Sequence, residues 1–333
     1  MKKILAIAIA SAFAAPAMAA TSNVDIYGQL HMSVNWFNDQ PSDINDINIT
    51  SNASRIGFKG SEDLGGGLKG IWQIESGVNL DEQNGGLAGR NSYLGLSGGW
   101  GTALLGNYDT PLKLVGRKVD LFGDTIGDSR NVMGGGSDTR AKNVLAYMTP
   151  AMSGFSAAVA FSTDVNINGT STAGDSEDGS AWNLNAAYEN GPIYVGFGYG
   201  DGDYHEAVGL EEHWRVAGAF SFGDFKIVGQ YDALGVVSGN DYDAWMVGGA
   251  FNMGAITLKA NWMAGEFDNT GVEPEQYNLG ADYAMSKRTN VYAMYTGGED
   301  VVLGSGAGLS DRVGPGAGGN DISGLSFGVV HKF

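Results

Sequence analysis

The chain has 333 residues, with 54 glycines, 7 prolines, no cysteine and a formal net charge of -18. The lack of cysteine excludes disulfide staples, thiol catalysis and thiolate metal sites, and the acidity argues against nucleic-acid binding. Abundant glycine beside Tyr, Trp and Phe suits many strands and turns. A mean hydropathy of -0.11 fits a sheet whose two faces meet hydrocarbon and water in turn.

At the N-terminus, Lys2 and Lys3 precede an uncharged run from Ile4 to Phe13, and small residues follow at Ala17 to Ala20. This reads as a secretory signal peptide over 1–20, cleaved after Ala19 or Ala20. The run is short of the ~20 residues a spanning helix needs. Removing Lys2 and Lys3 takes the net charge from -18 to -20, and residues 21–333 are expected to form one domain.

From Val24 to Phe37 the chain alternates. Val24, Ile26, Leu30, Met32, Val34 and Trp36 share one face, and Asp25, Tyr27, Gln29, His31, Ser33 and Asn35 the other, so one face wants hydrocarbon and the other water. The same reading predicts strands near 54–62, 68–78, 91–97, 101–108, 143–149, 155–162, 181–189, 193–200, 213–222, 225–232, 244–253, 255–265, 276–284, 289–296 and 321–333. Sixteen segments result, joined alternately by short turns and by long polar loops near 38–53, 79–90, 109–142, 163–180, 201–212, 233–243, 266–275 and 297–320. The expected fold is an all-β, sixteen-stranded antiparallel transmembrane β-barrel with short periplasmic turns and long external loops.

Aromatic residues fall at both ends of these segments: Tyr188, Phe220, Phe222, Phe225, Phe251 and Phe333 beside short turns, Trp36, Trp182, Trp214, Trp245, Trp262 and Tyr295 at the long-loop ends. Paired girdles at headgroup level are expected of such a barrel. The chain also ends within a strand, where Leu325, Phe327, Val329, His331 and Phe333 share a face. An unpaired last strand cannot stand in lipid, so it should pair with the strand at Val24.

Sixteen strands enclose an aqueous lumen. Parity places Arg55, Lys59, Lys69, Glu75, Lys226, Gln230, Asp232, Lys259, Asn261, Asn278 and Asp282 inward, with Tyr27, Tyr93, Tyr147, Tyr194 and Tyr292. The loop 109–142 carries Arg117, Lys118, Asp120, Asp124, Asp128, Arg130, Asp138 and Arg140, and its length marks it as functional or disordered. Folded inward, its charges would face those of the wall across a constriction; folded outward, they would be ordinary solvated charges. Asp164, Asn166, Asn168 and Asp175 imitate calcium-loop spacing but lack the final Glu and flanking helices, so they stand as a calcium candidate while specific binding there is not the expectation. Divalent cations at the external acidic loops are a second candidate. The four histidines lack metal-ligand spacing, and His31 with Ser33 is the only base and nucleophile pairing that a barrel hydrolase could use.

The run Ser54 to Lys69 (SRIGFKGSEDLGGGLK), Gly89 to Leu96 (GRNSYLGL), Gly101 to Thr110, Arg140 to Tyr147 (RAKNVLAY) and the closing His331-Lys332-Phe333 resembles the general porins of Gram-negative outer membranes, sixteen-stranded trimeric type. The resemblance spans the mature chain and is strongest over 54–110. It implies a non-enzymatic, cofactor-free channel in the outer membrane that passes ions and small hydrophilic solutes. It further implies a third loop folded into an eyelet, with Arg55, Arg90 and Arg140 as the basic cluster and Asp120, Asp124 and Asp128 as candidates for the acidic side. Implied partners are two further copies of the chain, outer-membrane lipid and lipopolysaccharide, and an assembly machinery that reads Phe333. Three arginines favour anions at the eyelet, whereas the overall charge favours cations at the mouth; anion preference is the expectation. A sugar-specific porin, the alternative, would show a run of inward aromatic rings.

Overall fold

The computed structural model describes residues 23–38, 47–81, 88–134, 138–162, 180–202, 210–236, 239–301 and 321–333. The proposed signal peptide and the calcium-like stretch at 164–175 lie outside them. Seventeen strands are described: β1 (Asn23–Asn38), β2 (Ile47–Ser51), β3 (Arg55–Gly65), β4 (Leu68–Gly77), β5 (Ser92–Gly98), β6 (Gly101–Asp109), β7 (Arg140–Met148), β8 (Phe155–Ser162), β9 (Ala181–Asn190), β10 (Ile193–Gly202), β11 (Leu210–Phe222), β12 (Phe225–Val236), β13 (Tyr242–Met253), β14 (Ile256–Phe267), β15 (Glu275–Ala284), β16 (Thr289–Glu299) and β17 (Asp321–Lys332). They form one antiparallel sheet in chain order, and β1 pairs with β17 to close it.

The barrel nonetheless has sixteen staves. β2 and β3 both pair with β1, through Met32↔Ser51 and Gln29↔Arg55, so the second stave carries one residue more than its partner over this stretch. That bulge centres on Ala53, whose φ is +52°, and it bends the stave without ending it. The sequence predicts a loop over 38–53; residues 47–51 are strand instead. Ile47 and Ile49 are exposed and Thr50 is buried, an alternation too short to register before the bulge interrupts it.

The outer surface is the apolar one. In β1, Val24, Ile26, Val34 and Trp36 are exposed while Gln29, His31, Ser33 and Asn35 are buried. At the seam Trp36 stands opposite Leu325, Val34 opposite Phe327 and Met32 opposite Val329, which continues the hydrocarbon belt across the closure. The Phe333 backbone exchanges hydrogen bonds with Gly28 at 3.1 Å in both directions, so the last residue of the chain is paired.

Ring contacts trace the two girdles. Phe220, Phe222, Phe225 and Phe251 stack in series beside the short turns, with centroid separations of 5.8, 5.4 and 4.4 Å. At the opposite rim Trp182 meets Tyr199 and Trp214 meets Tyr231, each at 5.2 Å. Tyr147 departs from its expected inward position. Leu145 takes a lipid-facing place while Val144 and Ala146 are buried against Leu104 and Ala160, so Tyr147 shares the outer face, stacks on Trp100 and donates to the Trp100 carbonyl at 2.6 Å.

Candidate functional site: a constriction inside the barrel

The segment after β6 turns into the lumen. Thr110 caps a short helix, α1 (Pro111–Arg117): its hydroxyl accepts from Lys113 N at 3.4 Å, and Pro111 sits in the first turn, where a missing N–H costs nothing. Beyond α1 the chain runs through Val119, Phe122 and Ile126 to a single 3-10 turn at Ser129–Asn131, capped by Asp128. Leu112, Val115, Val119, Phe122, Ile126, Val132 and Met133 are all buried. All but Leu112 join one apolar cluster with wall residues such as Tyr194, Ala217, Val228, Met246, Met263 and Met294. Each such side chain contributes about 1.5–3 kcal/mol on burial, which explains why a polar-looking loop does not stay outside.

Polar ties fix the position. Asn185 donates to the Pro111 carbonyl at 2.8 Å, Tyr242 to the Val132 carbonyl at 2.8 Å, and Asn131 to Gln276 at 2.9 Å. Arg215 on β11 is completely buried. It makes a two-pronged bond to Asp232 at 2.8 and 2.6 Å, and reaches Asp138 at the loop's end at 2.6 Å. The loop is thereby fastened against the wall from β9 to β17.

Arg55 at the start of β3, Arg90 just before β5 and Arg140 at the start of β7 lie on the other side of the barrel. Arg90 Nε lies 2.6 Å from Glu75 and Arg55 Nε 3.8 Å from it, while the Tyr27 hydroxyl donates to Glu75 at 2.9 Å. Arg140 donates to Asn91 at 2.6 Å and pairs with Asp109 at 3.2 Å, and it feels the charges of Arg90, Glu75 and Arg55 as well. The three arginines therefore form one field, each with about a fifth to a quarter of its side chain exposed. Lys59 stands over the Tyr27 ring at 5.2 Å. Lys69 pairs in register with Asp63 near the short turn, far along the stave from Arg55.

The acidic side differs from expectation. Asp120 and Asp128 are buried, with side-chain exposures of 1% and 0%. Asp128 accepts from Arg130 at 2.8 and 2.7 Å and from Arg117 at 3.2 Å; Asp120 accepts from Ser129 Oγ at 3.1 Å. Both serve the loop's own architecture. Asp124 alone is partly open, at 18%, and it is held by Arg117 at 2.8 Å. Burial and the Asp128 charge push the Asp120 carboxyl up to about 6. Burial would raise Asp124 too, but Arg117, Arg130 and, across the gap, Arg55 bring it below the usual range. Burial also lowers Lys113, against the opposing pull of Asp109 at 3.0 Å.

Arg117, Arg130 and Lys113 thus belong to the charge cluster of the inward loop, where motif matching does not name them. Their signal is the spacing of charge at 117, 120, 124, 128 and 130, three carboxylates bracketed by two arginines: opposite charges so closely spaced on a loop pair with each other before they face anything else. His31 and Ser33 do not form a base and nucleophile couple. His31 Nε2 lies 2.9 Å from the Tyr292 hydroxyl, and Ser33 Oγ meets Thr50 at 2.9 Å and Asn52 at 2.7 Å. Tyr194 bonds to the loop at Val115 and is buried under it, as Tyr292 is at its own site, so Tyr27 and Tyr93 are left as the inward rings beside the open passage. Among the described residues no group of three or more His, Cys, Asp and Glu has the arrangement to hold a metal ion.

A family model described as Gram-negative porin matches residues 6–300. The major outer membrane protein P.IB of Neisseria gonorrhoeae is 28% identical, over 87% of this chain and 91% of that protein. An outer membrane porin protein of Bordetella pertussis is also 28% identical, over 90% and 87%. Among solved structures, an anion-selective porin from Comamonas acidovorans superposes with a TM-score of 0.75 at 25% identity, covering 94% of this chain and all of that one. The trimer form of OmpT from Vibrio cholerae shares the fold, with a TM-score of 0.70 at 20% identity over 94% and 99%.

Proposed function

The chain belongs to the Gram-negative porin family and forms an outer-membrane channel, and from that premise we propose that its pore is a general diffusion path biased toward anions at the constriction. Passage is by size: the docked loop removes part of the lumen, and solutes that fit the remaining gap cross without being bound.

The observation that carries the charge preference is the internal pairing of the loop. Arg117 and Arg130 are set against Asp120, Asp124 and Asp128, while Arg55, Lys59, Arg90, Arg140 and Lys113 have only Glu75 and Asp109 to offset them. The constriction keeps a surplus of two positive charges, more when Asp120 is protonated. In a narrow passage with low-dielectric walls such a surplus lowers the barrier for anions and raises it for cations. The likeness to an anion-selective porin supports the same direction. A sugar-specific channel finds less support, because of the five rings expected inward Tyr147 faces outward and Tyr194 and Tyr292 are buried, leaving Tyr27 and Tyr93.

We read the molecule as a homotrimer, supported by a fold shared with a porin solved in trimer form, and its outer belt as the surface that meets lipid and lipopolysaccharide. Phe333 is the residue by which the assembly machinery would know the chain. The test of the channel's sign is the zero-current potential across a planar bilayer under a salt gradient: the parent protein should lie on the anion side, and a cation-side value would contradict the proposal.

A further inference from the structure

A second cluster of cations lies at the short-turn rim, apart from the constriction. The end of β15, the turn after it, the start of β16 and the last residues of β17 enclose a cavity of about 260 Å³. Lys287, Arg288 and Lys332 line it, with Asn290, Thr289 and Ser286 between them. Its floor is the inner wall: Asp282 stands opposite Thr257 in the register, and Lys332 stands opposite Gln29, whose side chain faces the lumen.

The charges here are not balanced. Asp282 is held by Lys259 at 2.9 Å, which removes it as a partner for the rim cations. The terminal carboxylate of Phe333 is the other nearby anion, and its carbonyl oxygen accepts from Gly28 N–H at 3.1 Å. Among the described residues no carboxylate lies within ion-pair reach of Lys287, Arg288 or Lys332. The turn is ordered all the same: Ser286 Oγ accepts from the N–H of Arg288 at 3.1 Å and of Thr289 at 3.0 Å, and Lys332 N–H donates to the Arg288 carbonyl at 2.8 Å. Three cations are therefore held around one concave site by backbone contacts, with their heads unspent.

We propose that this pocket is a second anion site, on the periplasmic side, that takes a multivalent oxyanion the size of phosphate. Lysine and arginine are the side chains that bind such groups, arginine by its planar fork and lysine as a point charge. Coulomb attraction grows with each unit of ligand charge, so chloride passes over the site while a doubly charged oxyanion dwells there. The Asn290 amide supplies a neutral donor to the same cavity. An anion that clears the constriction would meet this site on its way out, and the site stands whether or not the constriction prefers anions.

The test uses inorganic phosphate as the probe and the full chain folded in detergent, with binding read from broadening of the phosphorus resonance at low salt. The parent should broaden it in a saturable way. Lys287→Gln with Arg288→Gln, on an exposed turn, should weaken the apparent affinity by about tenfold, the scale expected from removing two charges at close range; Lys332→Gln should weaken it less. The Arg55→Ala, Arg90→Ala, Arg140→Ala protein should keep it. Equal broadening by the parent and the Lys287/Arg288 variant would overturn the assignment, as would loss of broadening in the constriction variant alone.

Discussion

Arg215 Nη1 on the barrel wall lies 2.6 Å from Asp138 Oδ1 at the end of the inward loop, and both side chains are shut off from water, at 0% and 4% exposure. This pair joins the inward loop to the barrel wall. Removing one member of a buried pair strands the other, at a cost of about 3–5 kcal/mol. Arg215→Met should lower the unfolding temperature of the detergent-folded barrel and add slow fluctuations to single-channel current, because Asp232 and Asp138 would both lose their counter-ion. Unchanged unfolding and a quiet open level would show that the loop is held by its apolar face alone.

Gly134 makes that pairing possible. Its φ of +75° suits glycine, and a Cβ there would collide with the Arg215 guanidinium. Gly134→Ala therefore combines backbone strain with a clash in the latch. It should reproduce the noisy current of Arg215→Met, and single-channel recording of the two variants side by side checks this.

Asp120 gives the channel a pH response. Its carboxyl sits at about 6 in the folded loop, above the usual value near ~3.9, so between those values the folded state holds the extra proton. Loop docking is then firmer at pH 5 than at pH 7, and its contribution falls as pH rises through 6. Protonation also removes one negative charge from the constriction. Anion preference should rise between pH 7 and 5, and in Asp120→Asn that rise should vanish, as zero-current potentials at the two pH values will report.

At the other end of the molecule, the Phe333 ring lies against Gly28, where any side chain would displace it. The contact is at the seam and remote from the loop. Deleting Phe333 should reduce the amount of folded, heat-modifiable protein in the membrane far more than it alters the current through those channels that do assemble. Gly28→Leu should act the same way. A normal yield with an altered current would reverse the assignment.

Much of the barrel was legible because its physics is periodic. The alternation in β1, the girdle aromatics and the need of Leu325 to Phe333 for a partner each follow from a face in lipid and a face in water. The second stave was not fully legible, since the bulge at Ala53 breaks the period before Ile47 and Ile49 can establish it. Tyr147 failed for a related reason: beside a register shift near Asn143, only the packing of Val144 and Ala146 decides which face is inside. Arg55, Arg90 and Arg140 come from the resemblance alone, and the structure sets them close enough to share one field. Burial is not legible from charge alone, and the structure buries Asp120 and Asp128 against Arg117 and Arg130 while Asp124 stays partly open.

The central claim is that arginines on the wall, rather than carboxylates on the loop, set the sign of the pore. The most direct measurement is the zero-current potential under a potassium chloride gradient for the parent and for the Arg55→Ala, Arg90→Ala, Arg140→Ala protein. The account predicts anion preference in the parent and a shift toward cations in the variant, with open-channel steps retained in both. An identical potential in the two proteins would contradict it.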